Sequence, residues 1–151
     1  MAYRTIEFVV EQGLARVTLN QPEVGNPFNA EFCSDFCALG NEISGRADVR
    51  SILLKANGKF FSVGGDIRMF AKQLDTLPDA IREWTSTLHM GIARLQRLNA
   101  PIVAQVHATC MGGGVALVAG CDIVFAANSA RFGAAYPQIG YSCDAGSSFA
   151  L

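Results

Sequence analysis

No uninterrupted apolar stretch in this 151-residue chain is long enough to cross a bilayer, and the opening Met1-Ala2-Tyr3-Arg4-Thr5-Ile6-Glu7 lacks an apolar signal core. No membrane partner is therefore expected, and a cytoplasmic location is the default. Basic residues are scattered and never form a stripe that could follow a phosphate backbone, and the formal net charge is −1, which speaks against nucleic acid as a partner. The five cysteines, Cys33, Cys37, Cys110, Cys121 and Cys143, are an odd set without the short paired spacings of a zinc site. Buried, reduced thiols are expected, and no metal. The G-x-G-x-x-G dinucleotide signature is missing, and neither Ser147 nor Ser148 sits in a G-x-S-x-G elbow, so dinucleotide chemistry and serine hydrolysis both lack their usual sequence support. Low-complexity segments and linkers are absent too, which leaves one domain over residues 1–151.

What is present is half hydrophobic by composition, enough to build a core. Ile6, Phe8 and Val10, then Ala15, Val17 and Leu19, alternate with other residues around Gln12-Gly13, which predicts a β-hairpin. Asn29 can cap a helix with apolar positions Phe32, Phe36, Leu39 and Ile43, ended by Gly45. Residues 51–56, 102–106 and 123–126 read as three buried strands. Residues 75–79, with Pro78, read as a loop. Ile81, Trp84, Leu88, Ile92, Leu95 and Leu98 fall on one face of a long helix. Strands alternating with helices predict an α/β fold.

Two glycine-rich turns stand out, Val63-Gly64-Gly65-Asp66 and Met111-Gly112-Gly113-Gly114. Each lies where a strand-like run ends and a helix-like run begins, so each can offer unblocked backbone N–H groups to an anion. Either turn alone can exist merely to allow a positive φ or close packing. Two together suit an oxyanion hole, in which each preorganised donor is worth about 3 kcal/mol toward a carbonyl that gains negative charge. Thioester or other acyl chemistry is the reaction class this predicts. Asp66 and Asp144 read as helix caps, Asp122 as a turn terminator, His89 as packing or surface, and His107 as a structural hydrogen-bonding residue.

Leu19-Asn20-Gln21-Pro22 with Asn26, Phe61 to Ile67, Ala104 to Gly114, Cys121-Asp122-Ile123 and Phe132-Gly133 together resemble, in order and spacing, the crotonase (enoyl-CoA hydratase/isomerase) superfamily. The similarity extends over essentially the whole chain. It implies a spiral of repeated ββα units, an acyl-CoA thioester as substrate with no separate cofactor, and assembly into trimers or hexamers. It also implies a chain truncated before the family's C-terminal helical region, which agrees with a helix predicted to begin at Asp144 and to stop at Leu151 before two turns are complete. Carried over by position, the oxyanion donors fall on Gly65 and Gly113. Coenzyme A contacts fall on Val24, Gly25, Val63, Gly65 and Ile67, with Lys59 or Arg68 available for phosphates.

Hydratases of that family hold and activate water with two glutamates, whose places are taken here by Ala116 and Tyr136. The nearest downstream carboxylate, Asp144, resembles the catalytic residue of several isomerase members. The resemblance thus implies an enoyl-CoA isomerase in which Asp144 moves the proton, Gly65 and Gly113 hold the thioester enolate, and Tyr136 lines the acyl pocket or donates a hydrogen bond. Two alternatives stand beside it: hydration or another addition to an enoyl-CoA using Asp144, and a catalytically silent acyl-CoA-binding or assembly subunit.

Overall fold

In the computed structural model, which describes residues 2–151, strands β1 (Ile6–Glu11) and β2 (Leu14–Leu19) form the predicted antiparallel hairpin around Gln12-Gly13. After the single-turn helix Pro22–Val24 come β3 (Pro27–Phe28) and helix α1 (Ala30–Ser44), whose N-cap Asn29 accepts the Phe32 N–H through its side chain. The next units follow one pattern. Strand β4 (Ser51–Ala56) is followed by β5 (Phe60–Ser62), β6 (Gly64–Gly65) and helices α2 (Ile67–Phe70) and α3 (Leu77–Leu95). Strand β7 (Ile102–Val106) is followed by β8 (Thr109–Met111) and α4 (Gly113–Ala119), then β9 (Ile123–Ala126), β10 (Phe132–Gly133) and α5 (Ser147–Ala150).

The first strand of each unit joins one sheet, in the order β1-β2-β4-β7-β9, parallel everywhere except the hairpin. The second strands build a smaller parallel sheet, β10-β8-β5, and β3 pairs with β6. This is the spiral of ββα units expected from the motifs. Its core gathers Val17 and Leu19 from β2, Phe32, Phe36 and Leu39 from α1, Ile52 and Leu54 from β4, Leu88 from α3, and Ala104 and Val106 from β7. Helices α1 and α3 cross with their backbones nearly touching, since a Cβ at Gly91 would lie 2.9 Å from the Phe36 carbonyl oxygen. Only glycine permits that approach.

Three local expectations are corrected. Residues 77–79 belong to α3 and not to a loop, because Pro78 sits in the first turn, where its missing N–H is no loss and its fixed φ suits the helix. Strand 123–126 is not buried: Ile123 is 50% and Phe125 66% exposed. As an edge strand it pairs with β7 alone, so its continuous apolar run faces solvent. The helix at the end of the chain is capped by Gly146 and not by Asp144. Exposed apolar side chains cluster near this part of the chain, with Phe132 48%, Phe149 96% and Leu151 74% exposed.

A buried amide fixes the turn that leads to the first glycine pair. Asn26, 3% exposed, donates through Nδ2 to the carbonyls of Asn57 (2.9 Å), Phe60 (3.1 Å) and Phe61 (3.2 Å), and its Oδ1 accepts the Gln21 N–H at 2.7 Å. Its own carbonyl accepts the Ser62 hydroxyl at 2.8 Å, and that Oγ accepts the Gly64 N–H at 3.1 Å. Asn26 also has φ +53°, a left-handed conformation that asparagine tolerates better than most residues. Asn26→Ala should therefore lose about 3 kcal/mol or more of folding stability, because several buried backbone groups lose their partner. Asn26→Gly, which relieves the positive φ but not the lost hydrogen bonds, should lose nearly as much. Urea unfolding checks both, and a loss below about 1 kcal/mol in either variant contradicts the role given to the amide.

Candidate functional site

The two glycine turns meet backbone to backbone. Gly64 has φ +78°, and a Cβ placed on it would lie 2.8 Å from the Met111 carbonyl oxygen and 3.3 Å from the Gly113 nitrogen. No other residue combines that conformation with that approach. The second turn is tied down in its own right, with the Gly112 N–H donating to the Gly133 carbonyl at 2.8 Å. Gly113 is the first residue of α4, so its N–H has no acceptor within the helix. The Asp66 carboxylate caps α2 by accepting the Met69 N–H at 3.1 Å, which sets the direction in which the chain leaves Gly65.

Gly65 and Gly113 line one cavity of about 70 Å³, and so do Tyr136 and Asp144. Its walls are apolar and rich in rings: Phe28, Phe70, Trp84, Leu88, Ile139 and Tyr141. Phe70 stacks on Trp84 with centroids 6.4 Å apart, and Tyr136 stacks on Tyr141 at 6.4 Å. An adjoining open cleft of about 450 Å³ shares Val63, Gly65 and Ile67 with the cavity and adds Val24, Gly25, Lys59 and Arg68. The structure thus gathers Gly65, Gly113, Tyr136 and Asp144 around the inner cavity, and Val24, Gly25, Val63 and Ile67 around the cleft leading to it. Lys59 and Arg68 are the exposed cations at its rim. Among the described residues, no three His, Cys, Asp or Glu side chains lie close enough to hold a metal ion, and no helix is long and apolar enough to cross a membrane.

Asp144 does not cap a helix. Its Oδ1 accepts the Tyr136 hydroxyl at 2.8 Å, and its backbone carbonyl accepts the Ser147 N–H at 2.9 Å. Burial, first, pushes the Tyr136 phenol above its ordinary value; the neighbouring Ser147 hydroxyl works against that shift and the Asp144 carboxylate adds to it. The phenol therefore stays protonated and keeps donating. Tyr141 is raised as well, by burial and then by Asp144. Ala116 is 1% exposed and packs in the core, so the helix that opens with Gly113 brings no carboxylate to the cavity.

Two residues belong to this site without having been singled out for it. Cys33, on α1, lines the cavity, and its thiol is pushed up to about 12 by burial and then by Asp144. Nothing in the spacing of the five cysteines pointed to the carboxylate near it. His89, on α3, accepts the Ala145 N–H at 2.9 Å through Nε2, although its ring is exposed. The two residues are 56 apart in sequence, and nothing local pairs them. His107 has the structural role expected of it, with Nε2 2.8 Å from the Gly58 carbonyl. Asp122 does more than end a turn: its carboxylate accepts the Ile102 N–H at 2.7 Å and pins the start of β7 beside β9.

A sequence model described as enoyl-CoA hydratase/isomerase matches residues 9–151 of the chain. The trans-2-decenoyl-[acyl-carrier-protein] isomerase of Streptococcus mutans is 31% identical over 153 residues, covering all of this chain and 58% of that protein. A protein of Rhodobacter capsulatus named "Probable enoyl-CoA hydratase" is 34% identical over 151 residues, covering all of this chain and 57% of its own length. Among solved structures, an enoyl-CoA hydratase from Polaromonas sp. JS666 superposes with a TM-score of 0.87 at 26% identity, over 96% of this chain and 56% of that one. The chain thus spans a little over half the length of these relatives.

The buried thiols make stability depend on pH. Cys33 and Cys110, both buried, are pushed from 9.0 to about 12, mainly by desolvation. A raised thiol is neutral in the folded state while the unfolded chain ionises first, so its contribution is intact below about pH 9 and falls as the pH rises toward 12. Each thiol should cost about 1.4 kcal/mol per pH unit across that window. Denaturant unfolding between about pH 8 and pH 10.5 should show the decline, and Cys110→Ala should make it shallower. An equally steep decline in the variant would remove this account.

Proposed function

The chain belongs to the enoyl-CoA hydratase/isomerase family, and we propose that within it the chain catalyses isomerisation of an enoyl-CoA, moving a double bond by proton transfer through a thioester enolate. The observation that supports this most is the convergence on one cavity of a single carboxylate, Asp144, with the backbones of Gly65 and Gly113. In the proposed reaction the thioester carbonyl rests between the N–H groups of Gly65 and Gly113. The Asp144 carboxylate removes a proton from carbon two of a 3-enoyl thioester. The electron pair of that C–H bond moves into the carbonyl and spreads over the conjugated dienolate. The carboxyl then returns the proton to carbon four, which leaves the 2-enoyl thioester and restores the base.

One carboxylate suffices for this shift. Syn hydration by the family's usual route requires a second acid or base, and Ala116 and Tyr136 occupy the places where it would stand. The Tyr136 hydroxyl engages Oδ1 of Asp144 and leaves the other oxygen to carry the proton. Protons beside a thioester are weakly acidic, so much of the barrier must be lowered by the enolate's hydrogen bonds in a dry cavity. The apolar walls serve that purpose by keeping the local dielectric low.

For the remainder of the substrate, the cleft lined by Val24, Gly25, Val63 and Ile67 is the channel for coenzyme A, with Lys59 and Arg68 placed to meet phosphates. No separate cofactor takes part in the proposed reaction. We further infer that the protein assembles as a trimer or a pair of trimers, in keeping with the apolar residues left exposed on β9 and β10.

Incubating the protein with a 3-enoyl-CoA in deuterated water should give the 2-enoyl isomer with the transferred hydrogen largely retained from the substrate, and Asp144→Asn should slow that conversion by two orders of magnitude or more. Crotonyl-CoA should be hydrated slowly or not at all. Hydration on the order of 10 per second that survives Asp144→Asn would refute the isomerase reading. Tight thioester binding without any conversion would make the protein a silent binding member.

A further inference from the structure

We propose that His89 is a positioning residue for Asp144, holding the catalytic carboxylate in place through the peptide bond that follows it. This inference rests on the assignment of Asp144 as the base. The amide that His89 accepts is the one joining Asp144 to Ala145, with the Ala145 nitrogen 2.9 Å from Nε2. Fixing that peptide plane fixes how the main chain leaves Asp144, and with it the direction of the side chain.

The need for such a hold is visible in the backbone. Ala145 has φ +50° and Gly146 has φ +81°, two consecutive left-handed residues immediately after Asp144. Alanine does not favour that conformation, and it persists only where surrounding contacts impose it. Ala145 is 3% exposed, and with no acceptor its buried N–H would be costly. His89 supplies the acceptor from α3, a helix that also contributes Trp84 and Leu88 to the cavity wall. Asp144 is therefore held at two points, its carboxylate by the Tyr136 hydroxyl and its following peptide by His89.

The hydrogen bond also specifies a tautomer. A backbone amide always donates, so Nε2 must present its lone pair, and the neutral ring carries its proton on Nδ1. The chemistry required at position 89 is an acceptor at the reach of Nε2 and not a proton donor. A glutamine places its amide oxygen at comparable reach, whereas a leucine fills similar space and accepts nothing.

The test pairs a spectroscopic readout with a kinetic one. In the ¹⁵N-labelled protein, a scalar coupling across the hydrogen bond should connect the Ala145 amide nitrogen to Nε2 of His89, and should vanish in His89→Leu. With a 3-enoyl-CoA, His89→Leu should lower kcat on the order of tenfold to a hundredfold with KM little changed, as expected when a catalytic group is displaced without loss of substrate binding. His89→Gln should restore most of the lost rate. Absence of the coupling in the wild-type protein overturns the proposal, whether or not the leucine variant folds. So does a folded His89→Leu with wild-type kcat, and so does a His89→Gln that is as slow as the leucine variant. Failure of the underlying assignment is separable: full activity in Asp144→Asn while the coupling persists rejects Asp144 as the base, and with it a catalytic role for His89, but leaves the hydrogen bond itself standing.

Discussion

Everything at this site depends on one buried amide at the entrance to the first glycine turn. The side chain of Asn26 binds three carbonyls of the 57–61 segment and one N–H of the segment before it, so two stretches of chain with no sheet contact at that point are locked together. The Ser62 hydroxyl then passes the constraint on, from the Asn26 carbonyl to the Gly64 N–H. Gly64 in turn lies against Met111 and Gly113. A chain of satisfied polar groups thus runs from the early loop to Gly64, whose close backbone contact carries it on to the second turn, and its links at Phe61, Ser62 and Gly64 are buried where water cannot replace them. Catalytic geometry of this kind tolerates displacements of only a fraction of an ångström, which is why the support is polar and directional and not merely packed.

Much of this was legible in the sequence, for identifiable reasons. The hairpin, α1 and the strand at 102–106 follow from alternation, helical period and a capping asparagine, all of them local signals. The glycine turns were legible because positive φ and close approach leave few alternatives to glycine. Misreadings arose where placement in the sheet decides. Residues 123–126 form a continuous apolar run, but periodicity cannot say whether such a strand lies at the centre or at the edge, and here it lies at the edge. Asp144 has the composition of a cap, and its true partner, Tyr136, depends on how the intervening 3-10 turn folds back. Cys33 and His89 reach the site from α1 and α3, and no spacing rule connects them to residues 144 and 145.

The site assigns its groups economically. In the proposed reaction, backbone N–H groups, which among substitutions only proline can remove, stand where negative charge would develop, and a single carboxylate stands where the proton would move. The rings that enclose them present apolar walls, and the phenol of Tyr136 satisfies one oxygen of the carboxylate. The same enclosure explains the raised Cys33 thiol: an apolar cavity holding one carboxylate opposes a second negative charge nearby.

The order of strands in the large sheet also bears on how the molecule comes to be folded. The sheet runs β1-β2-β4-β7-β9, so position in the sheet follows position in the chain without exception. Only the hairpin pairs near neighbours; the later additions join Leu14 to Ser51, Ile52 to Ile102 and Val103 to Ile123. Each of these must pay loop-closure entropy before its hydrogen bonds form, which places the fold among the slower ones. Yet each strand, as it leaves the ribosome, meets an edge that the strands before it have already finished. Assembly can therefore proceed in the direction of synthesis, outward from the hairpin, without any earlier pairing having to open.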